Sequence, residues 1–196
     1  MPGRIVFMLE EPSMKVLLDG LLPRLFPGLV EGRDFLCIKH DGKSDLERSL
    51  RTKLRAWRIA ADRFVVVRDN DGGDCRALKL RLTALCAEYG RPDTLVRLVC
   101  QELESWYLGD LKALAAAYPQ ARPDTPAHRK RFADPDACFK PSREVARLAP
   151  AFQKLAAARA MAATLEPERN RSPSFRVFVN GVARLLERMH EAGGVA

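Results

Sequence analysis

Residues 64–74 read Phe64-Val65-Val66-Val67-Arg68-Asp69-Asn70-Asp71-Gly72-Gly73-Asp74, and they decide the fold class. An unbroken apolar, β-branched run predicts a strand covered on both faces. The acids and glycines after it predict a turn, with a helix opening near Asp74. That helix carries Leu78, Leu82, Leu85, Cys86 and Tyr89, spaced i, i+4, i+7, i+8, i+11 along one face. The same strand–turn–helix unit recurs. Residues 5–9 (Ile-Val-Phe-Met-Leu) precede Val16, Leu17, Leu21 and Leu25. Residues 35–38 (Phe-Leu-Cys-Ile) precede a helix opening at Ser44, with Glu47 placed for a capping box and Leu46, Leu50, Leu54 and Trp57 on one face. Residues 95–100 supply a fourth run. Strands alternating with crossover helices make an α/β fold: a mostly parallel sheet of about four strands with helices on both faces.

Beyond Cys100 the pattern changes. Residues 102–117 predict a helix, 118–141 a long loop rich in Pro, Arg and Asp, and 151–164 a further helix. Arg169-Asn170-Arg171-Ser172-Pro173-Ser174 predicts a turn that caps a last amphipathic helix through Phe175, Phe178, Val179, Val182, Leu185, Leu186 and Met189. The expected organisation is an α/β core over residues 1–117 and a loop and helical extension over 118–196 packed on it, with residues 192–196 frayed.

With 33 Lys and Arg against 25 Asp and Glu, the 196 residues carry a net charge of +8, which favours polyanionic partners. A 47% hydrophobic and 30% charged composition suits a packed core and excludes a disordered chain. No apolar run approaches the ~20 residues of a membrane helix, and the first residues lack the apolar length of a secretory signal. The five cysteines, Cys37, Cys75, Cys86, Cys100 and Cys138, are odd in number and contain no CxxC pair. They read as reduced thiols in a cytoplasmic protein rather than as a disulfide framework or a zinc ribbon.

Ligands of open parallel sheets bind outside the carboxyl ends of the strands, and acids stand at all four ends. Strand one runs into Glu10 and Glu11, strand two into His40 and Asp41, strand three into Asp69 and Asp71, and strand four into Glu102 and Glu104. If the chain stays extended, Asp69 and Asp71 point the same way. An all-oxygen set of Glu10, Asp69 and Asp71 suits Mg²⁺ or Mn²⁺ and not zinc. For Glu10 and Asp69 to share an ion, strands one and three must be neighbours, which predicts the order 2-1-3-4.

A glutamate ending strand one and a DxD ending a later strand resemble the Toprim domain of topoisomerases, primases and OLD-family nucleases. More narrowly, the chain is similar to a bacterial family of Toprim-like proteins of unknown function, often encoded beside an ATPase of the AAA or ABC type. The matching pieces are Arg68-Asp69-Asn70-Asp71-Gly72-Gly73-Asp74-Cys75, Glu102-Leu103-Glu104-Ser105-Trp106-Tyr107-Leu108-Gly109-Asp110, Lys140-Pro141, Phe152-Gln153-Lys154-Leu155 and Arg171-Ser172-Pro173-Ser174-Phe175. The resemblance implies Glu10 as metal ligand or acid/base, Asp69 and Asp71 as the chelating pair, and Glu102 and Glu104 as additional catalytic-site ligands, one of them completing the metal shell or positioning water. It implies a Mg²⁺-dependent nuclease or phosphodiester hydrolase acting on DNA or RNA in a defence-type module. The alternative is a partner of an ATPase that is non-catalytic, or active only on assembly; a homodimer is also open. The usual glycine after the Toprim glutamate is replaced by Glu11, and Met14 stands where a second acid is common. The choice between Glu10 and Glu11, and between one metal and two, therefore stays open.

Gln153, Lys154, Arg169, Arg171 and Arg176 are candidates for phosphate contact, against the alternative of a solvated face. Ser172 and Ser174 read as helix caps, Trp57, Trp106 and Tyr107 as buried aromatics, and His40 as a residue at the site edge.

Overall fold

A computed structural model describes residues 3–193, with side chains through residue 191. Strands β1 (Ile5–Leu9), β2 (Phe35–Lys39), β3 (Arg63–Asp69) and β4 (Leu95–Val99) alternate with helices α1 (Pro12–Leu25), α2 (Lys43–Ala56) and α3 (Cys75–Glu88). The sheet is all parallel and its order is β2-β1-β3-β4, as the shared-ion requirement predicts. β1 is buried along its whole length and β3 from Phe64 onward, which is why these strands are continuous apolar runs instead of alternating ones.

Two hydrophobic layers sandwich the sheet. On one face Val6, Met8, Phe64, Val66 and Val96 meet Leu46, Leu50 and Leu54 of α2 and Leu82, Leu85 and Cys86 of α3. The other face is larger. There Phe7, Leu9, Val65, Val67 and Val99 join α1 and side chains drawn from residues 103–185, so the later part of the chain completes the core. No helix among the described residues is long and apolar enough to cross a membrane.

Four local expectations are corrected. Residues 102–117 form two helices, α4 (Glu104–Gly109) and α5 (Leu111–Ala117), because Asp110 leaves the helical conformation and its Oδ1 accepts the Ala113 N–H at 3.0 Å. Residues 118–141 are not a bare loop: they contain α6 (Pro126–Arg131) and a 3-10 turn at Pro135–Ala137, and α7 (Pro141–Leu148) starts at their end. Short helices with proline at the first positions show little periodicity, which hides them. The following helix, α8, spans Lys154–Thr164 and starts three residues later than its composition suggests. The capping box at Ser44 does not form. The α2 N-cap is Gly42, without a side-chain cap, and Glu47 pairs instead with Arg68 and Arg81.

The last helix, α9 (Pro173–Gly193), is fastened at its start. The Ser172 hydroxyl accepts the Phe175 N–H at 3.1 Å, and the Asp136 carboxylate accepts the Ser174 N–H at 2.7 Å and the Ser172 hydroxyl at 2.6 Å. Trp106 of α4 packs on Phe175 and Phe178, ring centroids 5.1 Å apart in both pairs, while its indole N–H donates to Ser174 Oγ at 3.0 Å. A side chain at Gly109 would collide with Asn170 Oδ1, so α4 and the turn before α9 interlock with no room for a Cβ. This packing fixes α4, and with it Glu104, against the sheet. The expected fraying of residues 192–196 is also corrected at its start, since α9 continues through Gly193; residues 194–196 lie outside the described residues.

Candidate functional site

The carboxyl edge of the sheet gathers acids from three segments. β1 ends at Glu10, whose Oε2 accepts the Asp69 backbone N–H at 3.1 Å. This contact exists because β1 and β3 are adjacent and in register, Leu9 opposite Val67. Both side chains are buried, at 8% and 7% exposure. Glu104 enters from the first turn of α4 at 1% exposure. Asp69 Oδ1, Glu104 Oε2 and the Tyr107 hydroxyl are buried with no hydrogen-bond partner among the described residues.

Burying so many like charges is costly, and proton affinities rise in response. Burial, with repulsion from Glu11, Glu10, Glu104 and Asp71, drives the Asp69 carboxyl well above its ordinary range. Burial pushes Glu104 up to about 7, against a pull from Lys154. Burial also raises Glu10, opposed by the hydrogen bond from the Asp69 N–H. The Tyr107 phenol is likewise raised, by burial and then by Glu104, Glu11 and Asp69.

Three cations border the cluster. Arg68 Nε lies 3.8 Å from Glu10 Oε2, and its guanidinium also pairs with Glu47. Lys43 pairs with Asp71. Lys154 Nζ lies 3.2 Å from Glu11 Oε2. Burial alone would pull the Lys154 ammonium down, but Glu104, Glu11 and Asp69 together outweigh it and hold the proton more firmly than usual.

Asp71 reaches the edge by a different path from the one expected. β3 ends at Asp69, and Asp71 sits in the left-handed region at φ 49°, so the extended-chain reading of the DxD is wrong. The turn is built by Asn70, whose Oδ1 accepts the Gln101 and Gly72 N–H groups and whose amide donates to Gly73 O at 2.8 Å. The middle residue of the motif is thus structural. Asp71 still acts on the buried acids, and its charge raises both Glu10 and Asp69.

The remaining candidates lie elsewhere or are engaged. Glu102 Oε2 accepts the Ser142 N–H at 2.8 Å, which ties it to the start of α7. His40 is buried with Nδ1 2.8 Å from Leu9 O, and burial lowers its proton affinity. Of the phosphate candidates, Lys154 joins the carboxylates. Arg171 donates to Arg129 O at 2.8 Å over α6, and Arg176 is exposed on the first turn of α9. Arg169 is a structural link, pairing with buried Asp110 at 3.1 Å. Glu11 and Lys43 are the members of the cluster that spacing underweights, since a lysine at a helix start carries no motif of its own. The cysteines are all free, with Cys75 and Cys100 sulfurs 3.8 Å apart. A cavity of about 870 Å³, lined by Leu25, Phe26, Arg63, Leu186, Met189 and His190, opens at the opposite, amino edge.

Among the described residues no three His, Cys, Asp or Glu side chains already stand in a metal-coordinating group. The donors available at the edge are nonetheless all oxygen. The orphaned Asp69 and Glu104 oxygens, with Glu10, Glu11 and Asp71 around them, fit a hard divalent cation in kind.

Fold and edge together define an α/β protein with an all-parallel four-stranded sheet and a buried acidic cluster at its carboxyl end. The chain belongs to the family described as Domain of unknown function (DUF4276), whose model matches residues 9–183 and so takes in the whole cluster. No curated protein and no solved structure matches it.

Proposed function

We propose that this protein is a Mg²⁺- or Mn²⁺-dependent Toprim-type phosphodiester hydrolase acting on nucleic acid. One observation carries the reading. Glu10, Glu11, Asp69, Asp71 and Glu104 converge on one sheet edge, with buried oxygens that nothing among the described residues satisfies, in a protein of net charge +8.

Glu10, Asp69 and Asp71 would hold the ion. When bound, it supplies positive charge to the attacked phosphate and lowers the pKa of water. The chain's own groups do the rest. Arg68 and the Asp69 N–H orient Glu10. Glu104, with a pKa of about 7, takes and returns a proton at neutral pH, where a general base works best. Lys154, which pairs with Glu11, and Lys43, which pairs with Asp71, stand at the mouth of the cluster and meet the phosphate oxygens.

The test is a nicking and cleavage assay on DNA and RNA with Mg²⁺ or Mn²⁺, comparing wild type with Asp69→Ala and Asp71→Ala. Metal-dependent cleavage by wild type and its loss in both variants is the expected result. Equal activity in all three overturns the reading.

A further inference from the structure

Arg97 is a charged residue on the edge strand β4, on the sheet face that α9 covers. Its guanidinium lies against Gly181 of α9 so closely that a Cβ there would collide with it. One end donates to Val96 O at 3.0 Å, and Nε is buried with no partner. The side chain is thereby pinned, and glycine at position 181 makes the room. Arg184 and Arg188 follow at i+3 and i+7 from Gly181, on the same face of the helix. Among the described residues none of the three arginines has an acidic partner. Arg97 loses proton affinity through burial and then through Arg184 and Arg188, with no carboxylate offsetting them. Glu187, on the same helix, lines the cavity at the amino edge instead.

Three gathered cations, one of them half-buried and pinned, are unfavourable in the free protein and become favourable when an anion arrives. Arg97 stands nearest the acidic edge, and Arg184 and Arg188 follow about 4.5 and 10.5 Å beyond Gly181 along α9, leading away from it. α9 starts at that edge, where Ser174 Oγ accepts the Cys100 N–H at 3.4 Å, and runs back along β4. In the sheet register Arg97 stands opposite Val67, and Val99 opposite Asp69. Two residues at about 3.3 Å each place Arg97 roughly 7 Å along the strand from the carboxylate row.

We propose that Arg97, Arg184 and Arg188 form a phosphate-binding shelf that holds the sugar-phosphate backbone of a nucleic-acid strand whose neighbouring segment lies at the acidic edge. The inference rests on the reading that the ligand is nucleic acid, and not on its hydrolysis.

The test is binding of a short labelled DNA duplex and its single strand by fluorescence anisotropy, in EDTA and across a salt series. Wild type is compared with Arg184→Ala/Arg188→Ala and with Arg51→Ala/Arg55→Ala. The second pair removes the same charge from exposed positions on α2, across the sheet. Both pairs are solvent-exposed, and thermal melts confirm folding. The shelf pair is expected to lose about tenfold in affinity and to flatten the log K against log salt slope by roughly 2, with the α2 pair within about twofold of wild type. Equal loss from both pairs, or none from the shelf pair, overturns the proposal. So does inorganic phosphate binding that depends on the shelf while oligonucleotide binding does not, which would make the ligand a free phosphate. Cleavage assays on wild type and on the shelf pair separate the two readings. Shelf-dependent binding without cleavage by wild type sinks the hydrolase and leaves the shelf, whereas cleavage unaffected by loss of the shelf does the reverse.

Discussion

Glu10 Oε2 accepts the backbone N–H of Asp69 at 3.1 Å, joining the ends of adjacent parallel strands from residues 59 positions apart. The bond lowers the cost of the Glu10 charge, while Asp69's own carboxylate is left among like charges. The folded state carries this strain at neutral pH, and its consequences can be measured.

Glu104→Gln should stabilise the protein at high pH. The folded-state pKa is raised from 4.5 to about 7, so the folded form binds the proton more tightly than the unfolded one. Stability from this group is fully present below about pH 4.5 and falls as pH rises to 7. At about 1.4 kcal/mol per pH unit the loss is about 3 kcal/mol. Thermal melts at pH 8 should place the variant several degrees above wild type, with the gap closing near pH 4.5. A gap independent of pH would show that Glu104 is not the source.

Divalent cations should relieve the same repulsion. With Mg²⁺ or Mn²⁺ at a hundredfold excess over Kd, linkage adds about 2.7 kcal/mol. The melting temperature of wild type should therefore rise at pH 8, and that of Asp69→Asn much less. Equal shifts in both proteins would place the ion elsewhere.

Arg68→Ala removes the guanidinium shared by Glu10 and Glu47. Breaking a buried pair from one side costs about 3–5 kcal/mol, visible as a lower urea midpoint. Glu47 is also held by Arg81 at 2.7 Å, so the loss should fall mainly on Glu10 and should shrink in an Arg68→Ala/Glu10→Gln double variant.

Asp136→Ala removes the carboxylate that accepts from Ser172 and Ser174 at the start of α9. A lost helix cap costs about 0.5–2 kcal/mol. The start of α9 supports Trp106 and hence α4, so hydrogen exchange should quicken at residues 104–109 as well as in the first turn of α9. Faster exchange in α9 alone would mean that the two are not coupled.

The sheet was legible because its information is local and repeated. Unbroken runs such as Phe64 to Val67 and Ile5 to Leu9 demand cover on both faces, and the need to bring Glu10 beside Asp69 selected the strand order. The site was legible in part: the strand-end acids stand out in the sequence, but their surroundings do not. Asp71 enters through a left-handed turn organised by Asn70 and Gln101. Glu102 is drawn away to Ser142, and Lys154 arrives from α8. Asn70 apart, these partners lie far from their counterparts in sequence. The break between α4 and α5 was hidden for the same reason. Asp110 is held by Arg169 and by the Glu166 N–H, contacts from more than 50 positions away.

The sequence by itself determined the α/β alternation and the set of acids at the strand ends, since each follows from patterns a few residues long; the parallel order needed one further condition, that Glu10 lie beside Asp69. Tertiary structure alone decided which acids are buried together, which cations face them and where the three arginines of β4 and α9 meet. Charge interactions depend on distance and on solvent exposure, and both come into being only when remote segments pack.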